Sequence, residues 1–203
     1  MIPRLLHWVW VGSPLPDPLR CYVETWERLH PHWERWLWGD DEVASLPRGK
    51  LIESVSSPAQ RSDLARVDIL REYGGVYVDA DFEAVSCIDP LLALGDFIVG
   101  AEDPPERNNP PYICNAFIAS TPSHPCLARY SEVQERRLRL LPDASPNVST
   151  GPFALTDVVR ATKAEVVVLP REALYPYGWW EPEARERRFP ETLAVHHWDA
   201  SWT

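Results

Sequence analysis

Residues 56–85 read SSPAQRSDLARVDILREYGGVYVDADFEAV, and this stretch restricts the fold more than any other part of the chain. Ser57 is a strong helix N-cap, Pro58 takes the first helical position, and Leu64, Val67 and Leu70 recur at helical spacing before Gly74-Gly75 ends the helix. Val76-Tyr77-Val78 follows at once, apolar on both sides, as in a strand covered on both faces. A helix feeding directly into a buried strand predicts an α/β sheet with parallel character. Such sheets hold ligands beyond the carboxyl ends of their strands. That end carries Asp79 and Asp81 here, with Glu83 two positions on.

The remaining chain keeps the same alternation. Leu5 to Val11 is a continuous apolar run ended by Gly12, and Leu19, Tyr22, Val23, Trp26 and Leu29 mark a helix from Pro18 that Pro31 closes. Trp36-Leu37-Trp38 gives a short strand running into a turn at Gly39-Asp40-Asp41. Further strands are predicted at Asp96 to Ala101, Tyr112 to Ala119 and Val166 to Leu169, with a helix from Pro125 to Leu141. The proline-rich patches Pro104 to Pro111 and Pro142 to Pro146 read as surface loops. With 203 residues, 45% of them hydrophobic, the chain suits one core, so residues 1–203 are expected to form a single domain. The expected sheet is mixed, mostly parallel and flanked by helices.

A net charge of −10 argues against broad attraction to nucleic acid or anionic lipid. An anionic ligand must then be gripped locally, by a metal ion, a few arginines or a helix N-terminus. The apolar run after Arg4 is too short for a signal segment or a bilayer span, so the expectation is a cytoplasmic protein with no transmembrane segment. Cys21, Cys87, Cys114 and Cys126 are widely spaced and read as buried thiols.

In an extended chain Asp79 and Asp81 project to one side while Ala80 points away. Two carboxylates about 4 Å apart repel by roughly 4 kcal/mol at an effective dielectric near 20, which a shared proton or a divalent cation offsets. Hard oxygen ligands suit Mg²⁺ or Mn²⁺. A solvated acidic turn is the plainer alternative. Asp63 and Arg66, three residues apart on the preceding helix, form either a surface ion pair or a grip for a polyhydroxylated ligand. The C-terminal LAVHHWDASW offers His196 as a metal ligand or a core histidine, and Ser201 and Trp202 as phosphate donors or packing residues. Among the ten tryptophans, Trp8, Trp10, Trp179, Trp180, Trp198 and Trp202 lie near these segments, and aromatic faces stack on bases and sugar rings.

Taken in order, IPRLLHWVWVG, RSDLARVDILREYGGVYVDADFEAV, ICNAFIAS, STGPFALT and AVHHWDASW resemble the DXD-containing glycosyltransferases of family 32. That family includes a fungal initiating mannosyltransferase and bacterial capsule enzymes, and it shares its central motifs with the large clostridial glucosylating toxins. The resemblance implies a GT-A fold and a metal-dependent, retaining transfer of a hexose from a UDP- or GDP-linked donor to a hydroxyl acceptor. It implies Asp81 as the direct ligand of Mn²⁺ or Mg²⁺, with Asp79 supporting it and touching the donor, and His196 as the third ligand with His197 as the alternative. Asp63, Arg66 and Asn115 would face the donor sugar, Trp10 the nucleobase, and Ser201 and Trp202 the diphosphate. The acceptor would be a glycan, a lipid-linked sugar, in which case peripheral membrane association follows, or a small metabolite. Glu102 to Tyr112 and Thr150-Gly151-Pro152 would be acceptor-side loops.

Two rivals stand beside this reading. Phosphohydrolases that form an aspartyl-phosphate also carry paired aspartates after a strand, but Thr or Val usually follows where Glu83 stands. A nucleotide-sugar or carbohydrate-binding module of the same fold, without turnover, is the non-enzymatic alternative.

Overall fold

The computed structural model describes residues 1–102 and 112–199. In chain order the elements are β1 (Leu5–Val9), α1 (Asp17–Leu29), β2 (Glu34–Trp38), α2 (Asp40–Ala44), α3 (Gly49–Ser54), α4 (Pro58–Tyr73), β3 (Gly75–Val78) and β4 (Phe82–Ala84). These are followed by β5 (Phe97–Ala101), β6 (Ile113–Ser120), α5 (Pro125–Leu140), α6 (Pro146–Ser149), α7 (Pro152–Ala161), β7 (Val167–Leu169), α8 (Arg171–Leu174) and β8 (Ala194–His196). Six strands form one sheet in the order β2-β1-β3-β6-β5-β7. β6 runs antiparallel to β3 and β5, and the other three pairings are parallel.

The continuous apolar run of β1 is explained by two packed faces. Leu6, Trp8 and Trp10 enter one hydrophobic cluster with Val76 and Val78, whereas Val9 and Val11 enter the other with Tyr77 and the apolar side of α4. Strand direction then places the business end of the molecule. β1, β3, β5 and β7 all point the same way, so the N-terminal turns of α4, the start of β6, the C-terminal end of α5 and α8 gather at one rim with Asp79 and Asp81.

The junction between α4 and β3 forms as its sequence requires. The Ser57 hydroxyl accepts from the Gln60 N–H, and Gly74 closes the helix at φ +65°. Gly75 sits at φ +94°, where an added Cβ would lie 2.7 Å from the Leu5 carbonyl oxygen. Glycine is needed there both for the left-handed backbone and for the close approach of β1.

Several expectations need correction. Gly39-Asp40-Asp41 is the start of α2 rather than a turn, because the Glu42 carboxylate accepts from the Gly39 N–H at 3.1 Å. Cys114 and Cys126 are buried, but Cys21 and Cys87 are exposed. Cys21 lies off the side of α1 that Leu19, Val23 and Trp26 bury, and Cys87 lies in the connection after β4. A separate antiparallel ribbon, β4 with β8, has no counterpart in the sequence reading.

Candidate active site

Asp79 and Asp81 do not lie on an extended strand. Residues 79–81 form a turn between β3 and β4, closed by the Phe82 N–H donating to the Asp79 carbonyl at 3.1 Å. The side chains therefore converge through a chain reversal instead of strand alternation. β8 completes the corner, since its register sets Phe82 opposite His196. Asp79, Asp81 and His196 each offer a ligand atom within 4.8 Å of the others. His196 Nε2 stands 3.1 Å from Asp81 Oδ1, and the Asp199 N–H donates to Asp81 Oδ2 at 2.9 Å.

His197 turns elsewhere. Its Nε2 bonds Glu83 Oε2 at 2.9 Å, its Nδ1 meets the Tyr177 hydroxyl at 3.0 Å, and its ring stacks on Tyr22 at 4.5 Å. Glu83, the third acid of the opening run, is thereby drawn away from the aspartate pair, and His196 rather than His197 stands with Asp81.

Arg66 is the hub behind the aspartates. Its Nη2 lies 3.2 Å from Asp63 Oδ1 and 3.1 Å from Asp79 Oδ1, Nη1 donates to the Asn115 carbonyl at 2.6 Å, and the guanidinium covers the Tyr77 ring at 4.3 Å. Asp63 and Arg66 are not a surface pair, for both are buried. Asp63 also accepts from Asn115 Nδ2 at 2.7 Å and from the Thr150 hydroxyl at 2.8 Å. Asp79 accepts from the Tyr77 hydroxyl at 2.7 Å, and Ser62 bonds that same hydroxyl.

This network sets the charges. Burial pushes the Asp63 carboxyl up to about 6, with Arg66 pulling the other way. Asp79 is likewise raised by burial against the pull of Arg66, with Asp81 adding to the rise. Burial would raise Asp81 too, but the His196 charge and hydrogen bond and the Asp199 N–H outweigh it and hold Asp81 at about 2. His196 moves oppositely: burial opposes its charge, and Asp81 more than compensates, raising it.

The donor set fits a divalent cation. Two carboxylates meet one imidazole, and His196 Nδ1 is buried with no hydrogen-bond partner among the described residues. The ring is oriented by Phe82 at 5.0 Å and Trp198 at 4.1 Å.

Trp10 is buried at the end of β1, and its indole N–H donates to the Ser13 hydroxyl at 3.3 Å. Ser201, Trp202 and positions 103–111 lie outside the described residues. Tyr77, Ser62 and Thr150 were not singled out individually from sequence. Tyr77 was readable in principle, since alternation puts it on the same side of β3 as Asp79. Thr150 reaches Asp63 across 87 positions of chain, a contact no local pattern announces.

Known proteins resemble the chain in sequence and in fold. Residues 16–98 match the family described as the glycosyltransferase sugar-binding region containing DXD motif. Inositol phosphoceramide mannosyltransferase 1 of Schizosaccharomyces pombe is 32% identical over 135 residues, which cover 62% of this chain and 40% of that protein. The chain thus spans less than half the length of that relative. The ligand-free glycosyltransferase domain from the YGT toxin superposes with a TM-score of 0.60 at 11% identity, over 82% of this chain and 79% of that one. The catalytic domain of alpha-toxin from Clostridium novyi gives a TM-score of 0.51 at 11% identity, over 81% and 64%. At such identities the likeness is one of fold. Residues 16–98 are thus similar to a DXD-containing glycosyltransferase sugar-binding region, and the chain adopts the GT-A fold.

Proposed function

We propose that the protein is a metal-dependent, retaining glycosyltransferase that moves a hexosyl group from a nucleotide-diphosphate sugar to a hydroxyl acceptor. The observation that carries this reading is the convergence of Asp79, Asp81 and His196 at the carboxyl end of β3, on a face whose acids would otherwise repel a diphosphate. Two hard oxygens suit Mg²⁺ or Mn²⁺, and the imidazole favours Mn²⁺ of the two. Bound there, the cation supplies Lewis-acid neutralisation of the leaving diphosphate.

Each residue of the chain has its own task. Asp81 and His196 hold the cation, and Asp79 supports it while reaching the donor. Arg66 locks Asp79 and Asp63 in place, and Asp63 and Asn115 form the wall facing the donor sugar. Trp10 faces the nucleobase, and Ser201 and Trp202 meet the diphosphate. The anomeric carbon gains oxocarbenium character as its bond to the phosphate oxygen breaks, and the acceptor hydroxyl adds on the same face. The leaving phosphate oxygen takes the hydroxyl proton. A trapped covalent glycosyl-enzyme would contradict that route.

The name of the fission-yeast relative supports mannose as the sugar and an inositol-bearing lipid as the acceptor class. GDP-linked mannose therefore heads the donor panel. Release of GDP or UDP from nucleotide sugars, with and without Mn²⁺, tests the reading. Manganese-dependent release from at least one donor is expected, and donor binding without any release would favour a binding module.

A further inference from the structure

Trp179 is 67% exposed, the most exposed large aromatic side chain among the described residues, and no packing requirement of the fold explains it. It is presented by a built turn. The Glu181 N–H donates to the Gly178 carbonyl at 2.9 Å, which puts Trp179 and Trp180 at the two central positions. The Glu181 carboxylate accepts from the Gly178 N–H at 3.0 Å and from Arg171 at 2.6 Å. Arg171 also sits over the Trp180 ring at 5.6 Å. A Cβ on Gly178 would come within 2.5 Å of that ring, so Gly178 is what lets Trp180 fold down against the turn. Trp180 is the anchor, and Trp179 stands beside it edge to face at 5.7 Å.

The turn belongs to the active-site rim. Two residues before Trp179, the Tyr177 carbonyl accepts from the Trp198 indole at 3.0 Å and the Tyr177 hydroxyl meets His197. Trp198 in turn packs on His196 at 4.1 Å. Two residues of chain span at most about 7 Å, so the Trp179 backbone lies within that reach of Tyr177, which is tied through Trp198 to His196. A rigid aromatic face in water costs little entropy on binding, and a pyranose or cyclitol ring has an apolar face of matching size.

We propose that Trp179 is the stacking platform for the ring of the acceptor, with Gly178, Trp180, Glu181 and Arg171 as the positioning residues that hold it out. This rests on the transferase reading for the word acceptor, but not for the ring-binding face itself.

The test has two arms, using wild type, Trp179→Ala and Trp179→Phe. In the first, methyl α-mannoside and myo-inositol are titrated against tryptophan emission without donor. A saturable emission change is expected in wild type, lost in W179A, and no change in wild type with either ring overturns the proposal whether or not the protein turns over donor. In the second, the same compounds are added to protein with Mn²⁺ and donor. The half-saturating acceptor concentration should rise about tenfold in W179A and recover largely in W179F. Equal half-saturation in W179A and wild type overturns the proposal, as does slower nucleotide release measured with no sugar present, which would put Trp179 on the donor side. Absence of release from every donor, with the emission change intact, would instead overturn the transferase reading and leave the ring-binding face established.

Discussion

Asp81 is held from several sides, by His196 Nε2, by the Asp199 N–H, and through its own carbonyl by the His197 N–H at 3.0 Å. Its charge, more than its shape, is what a cation needs. Asp81→Asn keeps the volume and loses the charge, so Mn²⁺-dependent nucleotide release should fall at least about a thousandfold while the circular dichroism spectrum is retained, as expected when several kcal/mol of Lewis-acid stabilisation is lost. Unchanged release would place the metal elsewhere. Tyr77→Phe is a subtler probe, because the hydroxyl that orients Asp79 is fully buried. Loss of a hydrogen bond to a charged group, worth about 1.5–3 kcal/mol, should lower kcat/KM by about ten- to a hundredfold. Steady-state kinetics at saturating Mn²⁺ read this directly. Of these residues, the aspartate pair, Asp63, Arg66, Asn115 and His196 were legible in the sequence because each sits in a short motif. Their geometry was less so. Alternation suggested that the aspartates share one face of a strand, whereas a turn brings them together. Spacing left Asp63 and Arg66 as a possible surface pair, whereas tertiary contacts from β6 and from Thr150, in the connection between α6 and α7, help to bury them.

At the scale of elements, helix α4 and strand β3 were read from sequence almost to the residue, since proline, serine and glycine caps act locally. The β4–β8 ribbon escaped because Phe82 and His196 are far apart in the chain and each strand is only three residues long. The junction between α4 and β3 is also where the fold is most exposed to damage. Gly75→Ala would combine a left-handed backbone with contact against the Leu5 carbonyl, and should cost at least about 2 kcal/mol in urea unfolding. His7 ties the same junction together: its Nε2 donates to the Gly74 carbonyl at 2.9 Å and its Nδ1 accepts from the Trp38 indole at 3.3 Å. That pairing requires the neutral ring. Burial lowers His7 from 6.5 to about 4, with the Gly74 hydrogen bond pulling upward. The unfolded chain therefore binds the extra proton first, and stability is lost as pH falls from about 6.5 to about 4, by about 3 kcal/mol from this group. His7→Gln should flatten the dependence of unfolding free energy on pH over that window. An identical slope in the variant would show that His7 is not the responsible group.

For the whole molecule, one sheet carries the two larger hydrophobic clusters, and β1 and β3 contribute alternate residues to each. Neither face can be lost without exposing the other, so residues 1–203 should unfold in a single transition, with far-ultraviolet dichroism and tryptophan emission changing together. Separate midpoints would indicate two units. Among the described residues no helix is long and apolar enough to cross a membrane. The chain carries a net charge of −10, so the proposed anionic donor would need a cation to hold it at this rim. The most direct measurement is anomalous scattering from crystals soaked with Mn²⁺ and a nucleotide diphosphate. The expected result is a manganese peak at the corner formed by Asp79, Asp81 and His196, ligated by Asp81, His196 and the diphosphate oxygens. A nucleotide bound in this cleft with no manganese at that corner would contradict it.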